Sequence, residues 1–252
     1  MRLFLFDIDG TLVSVRGAGR AAFARALEAT YGTAGALEQF DFRGRTDLSI
    51  VHELMTAAGG DVEGIPGGGA AQGHGVRPVP PAQIGDGSRV RVLPGVDAIV
   101  RRLGQRDDVV VGLLTGNIEA GARIKLMPTG LWPLFRVAAY GGDNADRRCL
   151  PAIARDRARA LGYEFPFDRI TIIGDTPLDV ECARSCGAVA VAVATGQHPT
   201  DALASCKPDH LFRRLADVDR VVSPLNAPRR RRSLSYRFIS CRPGGGGAGL
   251  SV

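Results

Sequence analysis

Leu3-Phe4-Leu5-Phe6-Asp7-Ile8-Asp9-Gly10-Thr11-Leu12 is the stretch on which the reading of this chain turns. Four apolar residues are followed by two carboxylates two positions apart. In an extended chain, side chains at i and i+2 share a face, so Asp7 and Asp9 look the same way at the mouth of a buried strand. Packing gives no reason for paired acids there, whereas a nucleophile and an acid/base group beside a metal ion would need them. The plainer alternative is a strand-end turn, since Asp-Gly is a common turn dipeptide.

Working outward, four further apolar runs read as strands: Val109–Thr115, Val137–Tyr140, Ile170–Gly174 and Ala188–Ala194. They are near-continuous rather than alternating, as expected of parallel strands covered on both faces. Helical patterns lie between them. Val96–Arg106 precedes the second strand and Ile118–Met127 follows it, stopping at Pro128. Pro151–Leu161 ends at Gly162, and Leu178–Cys186 ends before Gly187. Strand and helix in alternation predict an α/β fold, a doubly wound parallel sheet.

Two more strands end in chemically useful residues. Val109–Leu114 runs into Thr115-Gly116-Asn117, where a hydroxyl and backbone N–H groups at a strand-to-helix turn suit a phosphate oxygen. Asn117 is either a second ligand or the cap of the helix near Ile118. Ile170–Gly174 runs into Asp175-Thr176-Pro177-Leu178-Asp179. A helix dipole would account for an acid at Asp179, but not for Asp175 at the end of another buried strand. Open α/β sheets place their sites at such carboxyl ends.

These motifs, in this order, resemble those of the haloacid dehalogenase (HAD) superfamily over residues 1–222, with the phosphoglycolate phosphatase branch as the nearest pattern. The resemblance implies a Rossmann-like core and a phosphatase for a small phosphorylated metabolite. Asp7 would attack phosphorus and Asp9 would serve as acid and then base. Thr115 would bind phosphate, with Gly116 and Asn117 beside it. Mg²⁺ would be held by Asp7, the backbone carbonyl of Asp9, Asp175 and Asp179. The family also needs a cation against the nucleophile. Counting back from Leu161-Gly162 lands on Arg148, with Arg147 beside it, while Lys125 on the preceding helix is the competitor. A phosphomutase shares this machinery. A 2-haloacid dehalogenase does not need the second acid, and a non-catalytic relative with a degenerate cap is the remaining alternative.

The resemblance divides the chain into a core, 1–13 with 93–222, and a small helical cap inserted at 14–92. In the cap, Phe23, Leu27 and Tyr31 recur at helical spacing, as do Leu48, Val51 and Met55. Its segment at about 59–91 is rich in Gly and Pro and reads as a loose loop. Within the cap, Arg43-Gly44-Arg45-Thr46-Asp47 offers Arg45 to an anionic substrate, while Thr46 or Asp47 would cap the helix from Leu48.

Composition sets the limits. The 252 residues are 45% hydrophobic, enough for a real core, and no apolar run approaches a membrane span. A cytoplasmic protein, monomer or homodimer, is expected. The net charge of +6 belongs to residues 223–252, a basic, Gly-rich tail with six arginines and no acid. The rest of the chain is neutral, which argues against a broad nucleic-acid footprint other than through that tail. Cys182 and Cys186 lie four apart on one helix, but no further cysteine or histidine completes a metal site.

Overall fold

The computed structural model describes residues 1–15, 18–59 and 90–216. The strands are β1 (Arg2–Phe6), β2 (Val13–Ser14), β3 (Arg91–Val92), β4 (Val109–Thr115), β5 (Val137–Tyr140), β6 (Ile170–Gly174), β7 (Val189–Val193) and β8 (His210–Phe212). The helices are α1 (Ala18–Tyr31), α2 (Asp47–Ala57), α3 (Val96–Gly104), α4 (Glu119–Leu126), α5 (Leu150–Ala160), α6 (Pro177–Cys186) and α7 (Thr200–Ser205). Six strands form one sheet in the order β5-β4-β1-β6-β7-β8, every pair parallel. This is the doubly wound α/β architecture, with helices on both faces.

Alternation along β1 divides the core. Phe4 and Phe6 pack with Val109, Val111 and Leu113 under α3 and α4, through Ile99, Leu103, Ala122 and Leu126. Leu3 and Leu5 turn the other way, with Val110 and Leu114, to meet Leu150, Ala154 and Ala158 of α5 and Val180 and Ala183 of α6. Both faces being apolar is what made the strands read as unbroken hydrophobic runs. Among the described residues, no helix is long and apolar enough to cross a membrane.

The strand order positions the site. β1 lies between β4 and β6, with Phe6 level with Leu113 on one side and Ile173 on the other. Neighbouring strands are about 4.8 Å apart, so Asp7, Thr115 and Asp175, each just past these levels, emerge side by side at one sheet end.

After β1 the chain departs from the sheet and returns to it through a two-stranded antiparallel ribbon. Val13 pairs with Val92 and Ser14 with Arg91. The described part of the insertion has its own apolar cluster: Phe23 and Leu27 of α1, Leu37, and Ile50, Val51, Leu54 and Met55 of α2. Val51 and Met55 are on the buried stripe as expected, but Leu48 is only partly buried and Ile50 and Leu54 complete the stripe instead. Most of the loose segment expected at 59–91, and the whole of the tail at 223–252, lie outside the described residues.

Candidate active site

Three carboxylates meet at the end of the sheet. Asp7 extends from β1, Asp175 from β6, and Asp179 comes from the first turn of α6. One oxygen from each lies within 4.8 Å of the others, and all three residues are buried. Asp179 is bent back onto its own helix start. Thr176 caps α6 by accepting from the Asp179 N–H, and the Asp179 carboxylate accepts from the Thr176 N–H at 3.0 Å and its hydroxyl at 2.7 Å. Both readings of Asp179 therefore hold in the same geometry: it closes a capping box and it faces the cluster. Thr11, whose hydroxyl donates to Asp175 at 3.0 Å, supports the third carboxylate. A Cβ at position 196 would lie 1.7 Å from an Asp175 oxygen, so glycine is required there for Asp175 to occupy its place.

Among the described residues a single guanidinium reaches this cluster, that of Arg147. It donates to Asp179 at 2.6 Å and lies 3.1 Å from Asp7. Arg148, the residue reached by counting from Leu161-Gly162, is turned outward and pairs with Asp146 at 2.8 Å. The cause is local. Arg147 and Arg148 fall in a 3-10 turn, Arg147–Cys149, that Asp146 caps by accepting from the Arg148 N–H. Adjacent residues in so tight a turn point in very different directions, and the cap holds Arg148 on the solvent side.

Lys125 also enters the site, against the other acid. Its ammonium lies 2.5 Å from an oxygen of Asp9 and donates to the Asn117 side-chain carbonyl at 2.6 Å. The Asn117 amide donates to the same Asp9 oxygen and to the Thr115 hydroxyl oxygen, each at 2.8 Å. The Asn117 side chain does not cap α4. Instead, Asp47 of the inserted segment accepts from the N–H of Ile118, the residue just before α4, at 2.8 Å. Thr46 caps α2, accepting from Ser49 N–H at 3.1 Å, and donates its hydroxyl to the carbonyl of Ala145 at 2.7 Å. The Asp47 N–H donates to the carbonyl of Gly116 at 2.7 Å. Residues 44–47 therefore lie directly over the turn after β4. A Cβ at Gly116 would stand 1.9 Å from the Arg45 carbonyl oxygen, which makes glycine necessary for this approach.

Electrostatics follow from burial. It pushes Asp7 up to about 7, against the pull of Arg147. It raises Asp175 to about 8, with the charges of Asp7 and Asp179 adding to it and the Thr11 hydrogen bond opposing. Asp47 rises to about 6 for the same first reason, opposed by the Ile118 N–H. Burial alone would lower Arg147, but Asp179 and Asp7 more than reverse this and hold the guanidinium charged. Three clustered carboxylates against one arginine form an oxygen-rich, electron-rich donor set. Its chemistry fits a hard divalent cation such as Mg²⁺.

Above the cluster opens a cavity of about 990 Å³, floored by Asp7, Asp9, Asn117 and Asp175 and walled by the inserted segment. Arg45 lines it, but its guanidinium pairs with Glu53 and lies 5.1 Å from the centre of the Phe40 ring. Of the residues expected from sequence, Asp7, Asp9, Thr115, Gly116, Asn117, Lys125, Asp175 and Asp179 gather here. Arg45 is at the wall and Arg148 is outside. Thr11, Asp47, Arg147 and Gly196 complete the site without having been assigned a role in it. For Arg147 the only advance signal was its place next to Arg148. For Asp47, whose partner is 71 positions away, there was none.

A family model described as HAD-hydrolase-like matches residues 151–218. Over 144 residues the chain is 30% identical to the phosphoglycolate phosphatase of Synechococcus elongatus, covering 57% of this chain and 65% of that protein. The chain thus spans slightly under two thirds of that relative. It is 26% identical over 227 residues to "Probable phosphatase IndB" of Dickeya dadantii, covering 86% of this chain and 91% of the other. The crystal structure of a predicted phosphatase from Clostridium acetobutylicum shares the fold, with a TM-score of 0.64 at 15% identity, over 88% of this chain and 98% of that one.

Proposed function

We propose that this chain, which is similar to the HAD-like hydrolases, is a Mg²⁺-dependent phosphatase that hydrolyses a phosphate monoester through an aspartyl-phosphate on Asp7. The observation that carries the reading is the convergence of Asp7, Asp175 and Asp179 around Arg147, with Asp9 and Lys125 alongside. Asp7, Asp175 and Asp179, with the main-chain carbonyl of Asp9, would hold the cation. When bound it would offset the crowded negative charge and polarise the phosphoryl group.

The steps of the chain's own residues then follow. An Asp7 oxygen forms a bond to phosphorus as the bond from phosphorus to the ester oxygen breaks. Asp9 gives its proton to the departing oxygen. Its Oδ1 is buried with no hydrogen-bond partner among the described residues, so it is the oxygen left available for that exchange. Water next attacks phosphorus, Asp9 takes its proton, and the Asp7–phosphorus bond breaks to release inorganic phosphate. Thr115 accepts from the Asn117 N–H and side-chain amide, which leaves its own hydroxyl hydrogen to donate to a phosphoryl oxygen. Arg147 balances charge on the nucleophile. The inserted segment is a cap whose 44–47 turn keeps water from the cluster.

Asp9 argues against the dehalogenase alternative, because a halide leaving group requires no proton. The test is phosphate release from an aryl phosphate with and without Mg²⁺. Asp7→Asn is expected to lower turnover by about 10³-fold or more with an unchanged circular dichroism spectrum. Full turnover in that variant would overturn the nucleophile assignment.

A further inference from the structure

The cap side of the cavity carries information about the part of the substrate that leaves. Three cap arginines line it, and each already has a partner. Arg20 donates to the carbonyls of Leu37, Glu38 and Phe40 and lies 4.3 Å over the ring of Phe42. Arg43 makes a two-pronged pair with Asp41, at 2.7 and 2.8 Å. Arg45 pairs with Glu53. The described cap residues on this wall also include Glu38, Asp41 and Asp47, so three bases face three acids. A second anionic group on the substrate would have to draw these guanidiniums from the partners they hold, carboxylates for Arg43 and Arg45 and backbone carbonyls and a ring for Arg20.

The same wall is rich in rings. Phe23, Tyr31, Phe40 and Phe42 all line the cavity. Phe23 and Phe42 meet edge to face at 5.9 Å between centres, and so do Phe40 and Phe42 at 6.0 Å. Rings held by one another are a preorganised surface for a further aromatic group. The volume is at the upper end of what a small-molecule site encloses, about 300–1,000 Å³, and far exceeds what a two-carbon acid requires.

Building on the phosphatase reading above, we propose that the substrate is the phosphate ester of a bulky, uncharged alcohol bearing an aromatic ring. It is not a short phosphorylated acid of the phosphoglycolate kind. The phosphoryl group sits over Asp7 and Thr115, and the ring lies against Phe40 and Phe42.

Binding tests this separately from turnover. The full chain with Mg²⁺ is titrated calorimetrically with two non-hydrolysable phosphonates that share a headgroup, 3-(2-naphthyl)propylphosphonate and 3-phosphonopropionate. The naphthyl ligand should bind once per chain, be displaced by inorganic phosphate, and bind about tenfold tighter or more. Phe40→Ala and Phe42→Ala should each reduce that preference severalfold. Equal or tighter binding of 3-phosphonopropionate would overturn the inference, as would a preference that survives both variants or resists displacement by phosphate. Hydrolysis of 2-(2-naphthyl)ethyl phosphate and phosphoglycolate, both esters of primary alcohols, is then read in parallel. Failure to hydrolyse either ester, with the binding preference intact, removes the phosphatase reading but leaves the cavity assignment standing. Turnover that favours phosphoglycolate does the reverse.

Discussion

At the scale of single residues, two adjacent arginines separate by environment. Arg147 is buried between Asp7 and Asp179, whereas Arg148 is exposed beside Asp146. Removing one partner of a buried charge group leaves the others uncompensated, at a cost of about 3–5 kcal/mol. Arg147→Ala is therefore expected to lower the melting temperature sharply and to suppress hydrolysis even where the protein remains folded. Arg148→Ala removes an exposed pair worth about 0–1 kcal/mol, and should leave both nearly unchanged. Thermal melts and initial rates on the two variants check this, and equal effects would remove Arg147 from the site. The sequence could narrow the cation only to a neighbourhood. Spacing counted from a helix end locates a turn, but not which of its side chains faces inward.

At the scale of elements, the turn after β4 and the turn before α2 are locked together. Asp47 accepts from the Ile118 N–H just before α4, and Gly116 admits the Arg45 carbonyl. Gly116→Ala places a methyl where that carbonyl lies, so residues 44–47 must lift. The expected outcome is a fall of about tenfold or more in kcat/KM from water entering above Asp7, with the sheet intact by circular dichroism. Asp47→Ala removes a hydrogen bond between the two turns, worth about 0.5–1.5 kcal/mol, and should act in the same direction, more weakly. Unchanged kinetics in both would argue against this turn as part of the closed site. Asn117 is the instructive case for sequence reading. Its position suits an N-cap, but its amide is turned instead to Asp9 and Thr115.

At the scale of the whole molecule, the carboxylate cluster couples stability to pH and metal. Asp7 and Asp175 titrate near 7 and near 8 in the folded chain, above their ordinary range. Between about pH 4 and 8 the folded state therefore holds more protons than the unfolded one, and stability falls as pH rises through that window. The metal-free protein should melt several degrees lower at pH 8 than at pH 5, since about 1 kcal/mol moves a chain of this size by roughly 2–4 °C. Mg²⁺ would bind the deprotonated carboxylates, so it is expected to restore stability at pH 8 and do little at pH 5. Calorimetric melts at both pH values, with and without Mg²⁺, provide the check. A melting temperature indifferent to both variables would refute a shared ion site.

Five of the six strands of the sheet, their parallel character and the acids at their ends were readable in the chain, while the short edge strand β8 and the β2–β3 ribbon were not. A strand buried on both faces must be continuously apolar, so Asp7 and Asp175 stand out where such a run stops. Order along the chain could not say that β1 lies between β4 and β6, or that Arg147 rather than Arg148 turns inward. Nor could it show Asp47 reaching the start of α4. Those are contacts between distant segments, and they exist only once the sheet has brought its strand ends together beneath the inserted segment.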